Sequence, residues 1–490
     1  MNSLAGAFRH YRFLLPLCAG VFIAADDQTV IVTILPDVMA SLRVGAAQLD
    51  TASWAVTGYL IGYTAAMPFM GRVSDRYGYR AAFIGALMVF IVGSALVALS
   101  PALPRLLYGG QPQFNWLVAA RVFQAIGGGA VIPVAIAAAS VMIEPSRRVV
   151  AYGLIGASAE AGGVIGPLWG GMATEWLSWE WAFWLNIPLA AAVMAIVLRM
   201  PAGRTSRQSV DYLGAALFAG GLTTLTLTLM RIDNPDWLAA LLGITTIGLA
   251  GSLVLRSRSS ASSVIPAALL TVPQLRMANL THFLVGAALI VGMVTVPLLA
   301  ATVHDATPLE GGLRLLRMTI AIGVGAFAGG LATRRFGGRW PVLAGLLLAA
   351  AGFWLMRGWG LETGDPQLTL HLVIAGLGLG LVVAPIAEAA VSPAPEQDRG
   401  AASAWLTSSR MVGMIVGLAA MASLGTLQFR DLVSGLPAFS LDPAVQDEIL
   451  QETARAGLIV FRRFFTASAI TCLIALLPAF LMTRSRPAGV

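Results

Sequence analysis

The sequence contains no lysine, and charged residues of any kind are scarce, making up 11% of its 490 residues. Soluble domains carry about 25% charged residues, so this chain cannot cover itself with a wetted surface, and we expect an integral membrane protein. The absence of lysine excludes a P-loop ATPase, which needs a lysine on the phosphates, and a pyridoxal enzyme, which needs one for its Schiff base. Energy for any pumping therefore has another source.

Cysteine and histidine are also rare, with two and four residues. Cys18 and Cys472 both lie within apolar runs, so they form neither a disulfide framework nor a metal-binding pattern. The chain carries no HExxH motif, no nucleophile elbow and no cluster of histidine and aspartate at one membrane face. The sequence therefore predicts no metal, no cofactor and no enzymatic activity. The distribution of its net charge of +7 favours membrane orientation over nucleic acid binding.

Long apolar segments dominate what remains, because 57% of the residues are hydrophobic. A hydrocarbon core about 30 Å thick is crossed by about 20 apolar residues in a helix. The apolar runs predict an all-α integral membrane protein with 14 transmembrane helices. They cover residues 13–40, 52–71, 81–99, 116–143, 149–173, 181–198, 211–230, 237–255, 278–301, 313–333, 341–359, 369–392, 401–425 and 458–482.

The arginines are distributed unevenly between the two sides of these spans. With a cytoplasmic N-terminus, nineteen arginines lie in cytoplasmic segments and five in outer loops, while seven lie within or at the edges of spans. Short cytoplasmic loops of membrane proteins carry such an excess of basic residues. We therefore expect a multi-pass protein of the cell membrane with both termini in the cytoplasm.

One loop motif occurs twice, after the second and after the tenth predicted span. Residues 71–80 read GRVSDRYGYR, and residues 330–339 read GLATRRFGGR. The repeat predicts two six-helix halves, at 1–200 and 266–490, with a two-helix insert and its linkers at 201–265. Transporters are commonly built from such repeats, with the substrate path between them, although a basic turn that occurs twice by chance is the alternative. The matched positions pair Gly71 with Gly330, Arg76 with Arg335, Gly78 with Gly337, and Arg80 with Arg339.

The first copy of this loop resembles the signature loop of the major facilitator superfamily. Residues 121–127 resemble the fourth-helix motif of that superfamily, and residues 162–171 resemble the fifth-helix motif of its antiporters. Residues 27–36 resemble the first-helix motif of its fourteen-helix drug:proton antiporter branch. The resemblance implies the major facilitator fold with helices arranged as 6+2+6, and proton-coupled efflux by alternating access.

A finer resemblance concerns the substrate. Residues 53–68 are similar to the second helix of the mycobacterial lipid exporters of that branch. These relatives move triacylglycerol-like lipids outward, work with a periplasmic lipoprotein and affect drug tolerance. The resemblance implies a lipophilic substrate, protons, surrounding membrane lipids and a lipoprotein as partners. A multidrug exporter of amphipathic cations is the alternative, and a non-transporting membrane scaffold is the alternative from another class.

The fifth-helix motif has a simple physical reading. Gly162, Gly166 and Gly170 recur every four residues and form one smooth helix face, which permits close approach of another membrane helix. Pro167 removes a backbone hydrogen bond and allows a kink, and Gly171 completes the motif. We predict a hinge-like contact that can rock, with a static packing face as the alternative.

The loop motif predicts a cytoplasmic gate. Asp75 is able to accept hydrogen bonds from a neighbouring helix N-terminus or to pair with an arginine. The resemblance implies that Asp75, Arg76 and Arg80 hold the cytoplasmic side shut in the outward-facing state. The second copy has Arg334 where Asp75 stands, so we expect an asymmetric latch. The alternative is a solvated basic turn that serves only orientation.

Charges inside predicted spans point to function, because each costs about 2.5–3.5 kcal/mol at mid-helix. Asp26 and Asp27 lie near the middle of the first span, and adjacent helical residues point about 100° apart, so we expect different surroundings for the two. Asp27 is the family position. A carboxyl group shielded from water binds a proton more readily, which suits proton coupling. Arg121 is able to pair with either acid, and a permanent ion pair is the alternative.

A second pair of charges lies at matching depth. Glu160 is about eleven residues into the fifth span and Arg410 about ten into the thirteenth, and both spans run outward. Opposite charges at one level of the membrane are expected to meet, because leaving either alone is costly. Such an ion pair between the halves would brace one conformation. The alternative is that each residue faces a water-filled cavity separately.

Overall fold

The computed structural model describes residues 13–42, 49–110, 113–202, 210–229, 231, 236–260, 263–304, 306, 308–435 and 443–482. Over these ranges the chain is helical and has no β-strand. We number the long helices in chain order. They are α1 Leu14–Ser41, α2 Leu49–Tyr77, α3 Tyr79–Leu99, α4 Phe114–Met142, α5 Pro145–Trp176, α6 Trp181–Val197, α7 Tyr212–Leu229, α8 Trp237–Ser259, α9 Pro273–Val303, α10 Pro308–Phe336, α11 Arg339–Met356, α12 Asp365–Val391, α13 Arg399–Val433 and α14 Pro443–Leu481.

Twelve helices within the described ranges are long and apolar enough to cross a membrane. The other two are α2, which has 29 residues but is less apolar, and α6, which is shorter and interrupted at Leu185. The predicted all-α membrane class is confirmed. The number of fourteen spans remains a prediction, because α2 and α6 do not reach this standard on length and composition alone.

Local chemistry explains several helix ends. Pro145 begins α5, where its missing N–H group would have no intrahelical partner in any case. Asp236 caps α8, since its carboxylate accepts a hydrogen bond from the backbone N–H of Ala239 at 2.7 Å. The two copies of the loop motif turn at Gly78 and Gly337, whose φ angles of 83° and 78° are strained for any residue with a side chain.

The helices pack as two groups. In the first group α1 packs against α5, and α2 and α3 pack against α4. In the second group α9 packs against α13 and α14, and α12 packs against α10 and α11. The groups meet where α2 contacts α13 and where α5 contacts α10. Between them in sequence, α7 and α8 form an insert in which α7 contacts both α2 and α13.

The first residue of each loop copy lies at the contact between the groups. A methyl group added at Gly71 would lie 2.5 Å from the Ala404 Cβ atom and from the Gly400 carbonyl oxygen of α13. A methyl group added at Gly330 would lie 3.0 Å from the Val149 carbonyl oxygen of α5. Each copy therefore lets its own helix approach the other group. We call the end of the molecule that carries both loops the gate end.

The last residue of each loop copy holds the final helix of its own group. Arg80 donates a hydrogen bond to the Met200 carbonyl oxygen, just beyond α6, at 2.8 Å. The Arg339 guanidinium lies 3.6 Å from the centre of the Phe480 ring, near the end of α14, in a cation–π contact. The two copies therefore make corresponding contacts, as expected for a structural repeat.

Candidate functional site

A buried ion pair lies inside the first group. Asp27 of α1 and Arg121 of α4 are both fully buried, and Arg121 Nη1 donates to Asp27 Oδ2 at 2.9 Å. Asp27 Oδ1 accepts two further hydrogen bonds at 2.8 Å, from the side-chain amides of Gln124 and Asn186. Both carboxylate oxygens are therefore occupied in this conformation.

Several helices converge on this ion pair. The Arg121 guanidinium lies 4.0 Å from the centre of the Tyr59 ring of α2 and 5.4 Å from that of Phe183 of α6. The amide of Gln124 also donates to Ser94 of α3 at 2.9 Å. The pair thus joins five helices of the first group. This geometry favours the alternative of a permanent ion pair for the conformation seen here, and the role in proton coupling remains a prediction.

The neighbouring acid has different surroundings. Asp26 is 8% exposed, and its Oδ1 atom is buried and accepts no hydrogen bond from the residues that the structure describes. Its backbone carbonyl faces α5, because a methyl group added at Gly166 would lie 2.4 Å from that oxygen. Of the two acids, Asp27 therefore has the better compensated charge.

The second predicted pair lies between the two groups. Arg410 Nη2 of α13 and Glu160 Oε1 of α5 form an ion pair, with 15% and 6% of the two side chains exposed. Helix α9 packs closely against α13 at this point, since a methyl group added at Gly286 would lie 2.2 Å from the Arg410 carbonyl oxygen. The structure therefore brings the two charges together, as their matching depth predicts.

Asp75 links the groups at the gate end. Its two carboxylate oxygens accept hydrogen bonds from the backbone N–H groups of Gly400 at 2.8 Å and Ala401 at 3.0 Å. Both residues belong to the first turn of α13, where N–H groups have no partner within the helix. A residue of the first group therefore caps a helix of the second, and its negative charge is favourable at that helix end.

An ion pair at the gate end involves a residue that the sequence motif did not assign to the gate. Arg72 Nη1 lies 2.8 Å from Asp398 Oδ1 and 3.9 Å from Asp75 Oδ2. Arg72 Nε donates to the Ser263 carbonyl oxygen at 2.8 Å. Position 72 is within the loop motif, one helical turn before Asp75, and this spacing was the available signal.

The other two predicted gate arginines, Arg76 and Arg80, have contacts to residues of the first group. The Arg76 guanidinium lies 5.2 Å from the centre of the adjacent Tyr77 ring, and Arg80 binds the Met200 carbonyl oxygen as described above. Arg334, the counterpart of Asp75 in the second copy, is exposed. The contact between the groups is asymmetric in this respect.

Further contacts extend the interface between the groups. The Ser403 hydroxyl donates to the Pro133 carbonyl oxygen at 2.8 Å, and Arg399 donates to the Ser140 carbonyl oxygen at 2.9 Å. A cavity of about 400 Å³ next to Asp75 is lined by residues of both groups. The described contacts between the groups run from the gate end as far as the ion pair between α5 and α13.

Asp75→Asn is expected to weaken closure of the gate end. Asparagine caps helices well, but the charge at the N-terminus of α13 is lost, at a cost of about 0.3–1 kcal/mol or more in a buried site. The measurement is the rate of disulfide formation between cysteines introduced on either side of the gate end. Arg334→Gln is the matched control, because the same position of the second loop copy is exposed. Equal rates in both variants would contradict a latch at Asp75.

The fifth-helix glycines lie against α1. A methyl group added at Gly162, Gly166 or Gly170 would lie 2.2, 2.3 or 2.8 Å from the nearest atom of α1. Thr33 of α1 also donates a hydrogen bond to the Pro167 carbonyl oxygen at 3.1 Å. The smooth face therefore permits backbone-to-backbone contact between α1, which carries the two acids, and α5, which carries the glutamate of the interface pair.

Gly166→Ala is expected to lower the thermal unfolding temperature and the transport rate, because overpacking of a tight contact typically costs about 1–3 kcal/mol. Gly171→Ala is the matched control, since a methyl group there would have no neighbour within 4 Å. Thermal unfolding of the purified variants, followed by tryptophan fluorescence, measures the effect. A Gly166→Ala protein as stable and active as Gly171→Ala would show that the close contact is dispensable.

Several residues of these networks were not predicted. Gln124 lies one helical turn after Arg121 within the fourth-helix motif, so the spacing carried a signal. Asp398 immediately precedes α13, where an acid at a helix start is favourable. Asn186 reaches Asp27 from a helix 159 positions away in sequence, and no local pattern indicates that contact.

Comparison with known proteins identifies relatives along most of the chain. The Major Facilitator Superfamily matches residues 17–254. The triacylglyceride transporter of Mycobacterium tuberculosis is 33% identical over 482 residues, which cover 92% of this chain and 90% of that protein. The triacylglyceride transporter of Mycolicibacterium smegmatis is 32% identical, over 94% of this chain and 86% of that protein.

Solved structures share the fold at low identity. The proton:xylose symporter XylE superposes with a TM-score of 0.67 at 13% identity, over 97% of this chain and 96% of that one. The human organic anion transporter MFSD10 superposes with a TM-score of 0.65 at 18% identity, over 97% and 99%. These similarities concern the arrangement of helices.

Proposed function

The chain belongs to the major facilitator superfamily of transporters, and on that basis we propose that it is a proton-coupled antiporter that exports lipophilic substrates, foremost lipids, by alternating access. It is a multi-pass membrane protein. In the proposed arrangement fourteen helices cross the membrane as 6+2+6, with residues 1–200 and 266–490 as the two bundles. The packing of α2 and α6 within the first group supports counting both as spans.

The proposed orientation has both termini in the cytoplasm of the cell and the gate end on the cytoplasmic side of its membrane. The excess of arginines on that side supports it. Because the gate end is closed by Asp75, Arg72 and Arg399, the conformation described here corresponds to an outward-facing state. Opening of the gate requires these contacts to break as the bundles rock.

The observation that carries the proposal is the ion pair between Glu160 and Arg410. It joins the two bundles midway along their helices, where an unpaired charge would be costly. A fixed scaffold does not require a charge pair across the contact between two bundles. In an alternating-access cycle the pair braces one state and separates in the other.

Proton coupling is proposed to involve the acids of α1. Asp27 with Arg121 is the family position, and Asp26 is the adjacent acid with a buried oxygen that accepts no hydrogen bond from the described residues. Binding of a proton to one of these carboxyls, in competition with substrate, would couple the two movements. One charge crossing 100 mV supplies about 2.3 kcal/mol, so one or two protons sustain a modest gradient of substrate.

A lipid substrate is supported by the relatives, which are named triacylglyceride transporters. The lengths of α13 and α14, at 35 and 39 residues, are also consistent with it. About 20 residues cross a membrane, so both helices extend well beyond it. We propose that this extension passes lipid onward to a periplasmic or extracellular lipoprotein.

Export of amphipathic cations is the second candidate function. The observation that favours it is Asp26, because a carboxylate without a cation among the described residues is suited to attract one from a substrate. In that case no lipid movement accompanies transport.

Reconstitution into liposomes tests both candidates. Purified protein is incorporated into vesicles with an imposed pH gradient, and transfer of a fluorescent triacylglycerol is compared with transfer of ethidium. Gradient-driven movement of the lipid, abolished by a protonophore, is the expected result. Movement of ethidium alone would favour the cation exporter. Movement of neither, in vesicles that hold the gradient, would contradict both.

A further inference from the structure

The two-helix insert is closed on itself by a partly buried ion pair, in which 32% of the Arg256 side chain is exposed. Arg256 Nε, near the end of α8, lies 2.7 Å from Asp211 Oδ1, immediately before α7. Asp211 is 2% exposed, and the same oxygen caps α7 by accepting a hydrogen bond from the Gly214 N–H at 2.9 Å. Its second oxygen accepts a hydrogen bond from the Val264 N–H at 3.3 Å. One carboxylate therefore holds the start of α7, the end of α8 and the linker that follows.

The residue before Val264 is the one that contacts the gate. The Ser263 carbonyl oxygen accepts the hydrogen bond from Arg72 Nε at 2.8 Å, and Ser263 is fully buried. The other side of the same guanidinium is paired with Asp398. Two residues after Ser263, the Ile265 carbonyl oxygen accepts a hydrogen bond from the Ser257 hydroxyl of α8. The two residues that follow Ser263 are thus each held to the insert by a hydrogen bond.

The insert also lies against the helices that the gate joins. Helix α7 packs on α2, where the rings of Tyr212 and Phe69 are 5.7 Å apart, and it contacts α13 as well. Arg72 belongs to α2, and Asp398 directly precedes α13. The insert therefore contacts both helices that the ion pair between Arg72 and Asp398 connects.

We propose that the insert is a strap that keeps the gate end closed, with Asp211 and Arg256 as positioning residues that present the Ser263 carbonyl oxygen to Arg72. A guanidinium is planar and donates in fixed directions, so an acceptor on its Nε side orients its Nη side. Arg72 is 2% exposed, and a buried donor without its acceptor is costly. With the carbonyl in place, Arg72 is directed at Asp398. The inference rests on the alternating-access cycle proposed above.

Two substitutions each break the ion pair between Asp211 and Arg256, which we call the clamp. Asp211→Asn keeps a good cap for α7 and removes the charge that binds Arg256. Arg256→Gln removes the cation from the other side. Arg258→Gln is the matched control, because Arg258 belongs to the same last turn of α8 and is exposed. Each of the three changes alters the net charge by one unit.

The position of the gate is measured directly by pulsed electron spin resonance in lipid nanodiscs. Spin labels replace Leu198, at the end of α6, and Trp340, at the start of α11, which are both exposed at the gate end. Cys18 and Cys472 are replaced by alanine so that only these positions are labelled. Arg72→Ala serves as the reference for an opened gate.

Both clamp variants are expected to raise the ratio of open to closed gate by about tenfold, the equivalent of one lost charged hydrogen bond. The double variant should open no further than either single one, because both remove the same interaction. Arg258→Gln should match the parent. An opened gate in Arg72→Ala together with a parent-like distance in both clamp variants would overturn the strap and leave alternating access standing. A gate that remains closed in Arg72→Ala and Asp75→Asn alike would overturn the alternating-access cycle and the strap with it.

Discussion

Replacement of Asp27 by asparagine is expected to abolish transport and to lower the free energy of unfolding by about 3–5 kcal/mol, because the change leaves Arg121 buried without its counter-charge. Both residues are fully buried, so water does not compensate the loss. Transport is measured in liposomes and stability by thermal unfolding in detergent. Asp26→Asn, the same substitution one position earlier, is the control. We expect Asp26→Asn to lower the free energy of unfolding much less. Equal unfolding temperatures for the Asp27→Asn and Asp26→Asn variants would contradict the stabilising role of the ion pair between Asp27 and Arg121.

A double variant separates support of the fold from proton coupling. Asp27→Asn combined with Arg121→Gln removes both charges, and replacing both members of a buried pair is often neutral for stability. We therefore expect the unfolding temperature to recover while proton-driven transport stays absent. Recovery of both would assign Asp27 to the fold alone and transfer the proposed coupling role to Asp26.

The second large effect is expected at the pair between the bundles. Glu160→Gln and Arg410→Gln should each reduce transport at least tenfold, because truncating one partner of a buried ion pair costs about 2–5 kcal/mol and about 1.4 kcal/mol corresponds to a factor of ten. The rate of gradient-driven transfer in liposomes is the measurement. The exchanged pair, Glu160→Arg with Arg410→Glu, is expected to regain part of the activity.

An exposed ion pair provides the comparison for this result. Glu452 and Arg455 of α14 are paired on the surface, with 41% and 57% of their side chains exposed. Exposed pairs contribute about 0–1 kcal/mol, so Glu452→Gln should leave transport unchanged. Full transport activity in both Glu160→Gln and Arg410→Gln would contradict the proposal that this ion pair stabilises one conformation. The activity of the exchanged pair would not change that conclusion.

The sequence by itself determined the class of this protein and the level of its charges in the membrane. Apolar runs fix which segments are helices in lipid, since backbone groups in hydrocarbon must bond within their own segment. Depth along a helix follows from counting residues, and this is why the meeting of Glu160 with Arg410 was predictable. The glycine spacing on α5 was likewise readable, because residues four apart share a face of a helix.

Tertiary structure alone decided which side chains complete each site. Asn186 reaches Asp27 from α6, and the Ser263 carbonyl oxygen reaches Arg72 from the linker after α8. Such contacts depend on how distant helices are rotated and packed, and on a backbone oxygen whose direction no side-chain pattern reveals. The same holds for α2 and α6, which the apolar runs at 52–71 and 181–198 predict as spans although one is less apolar and the other shorter than the twelve clear cases. Only the structure shows that both pack among the helices of the first group.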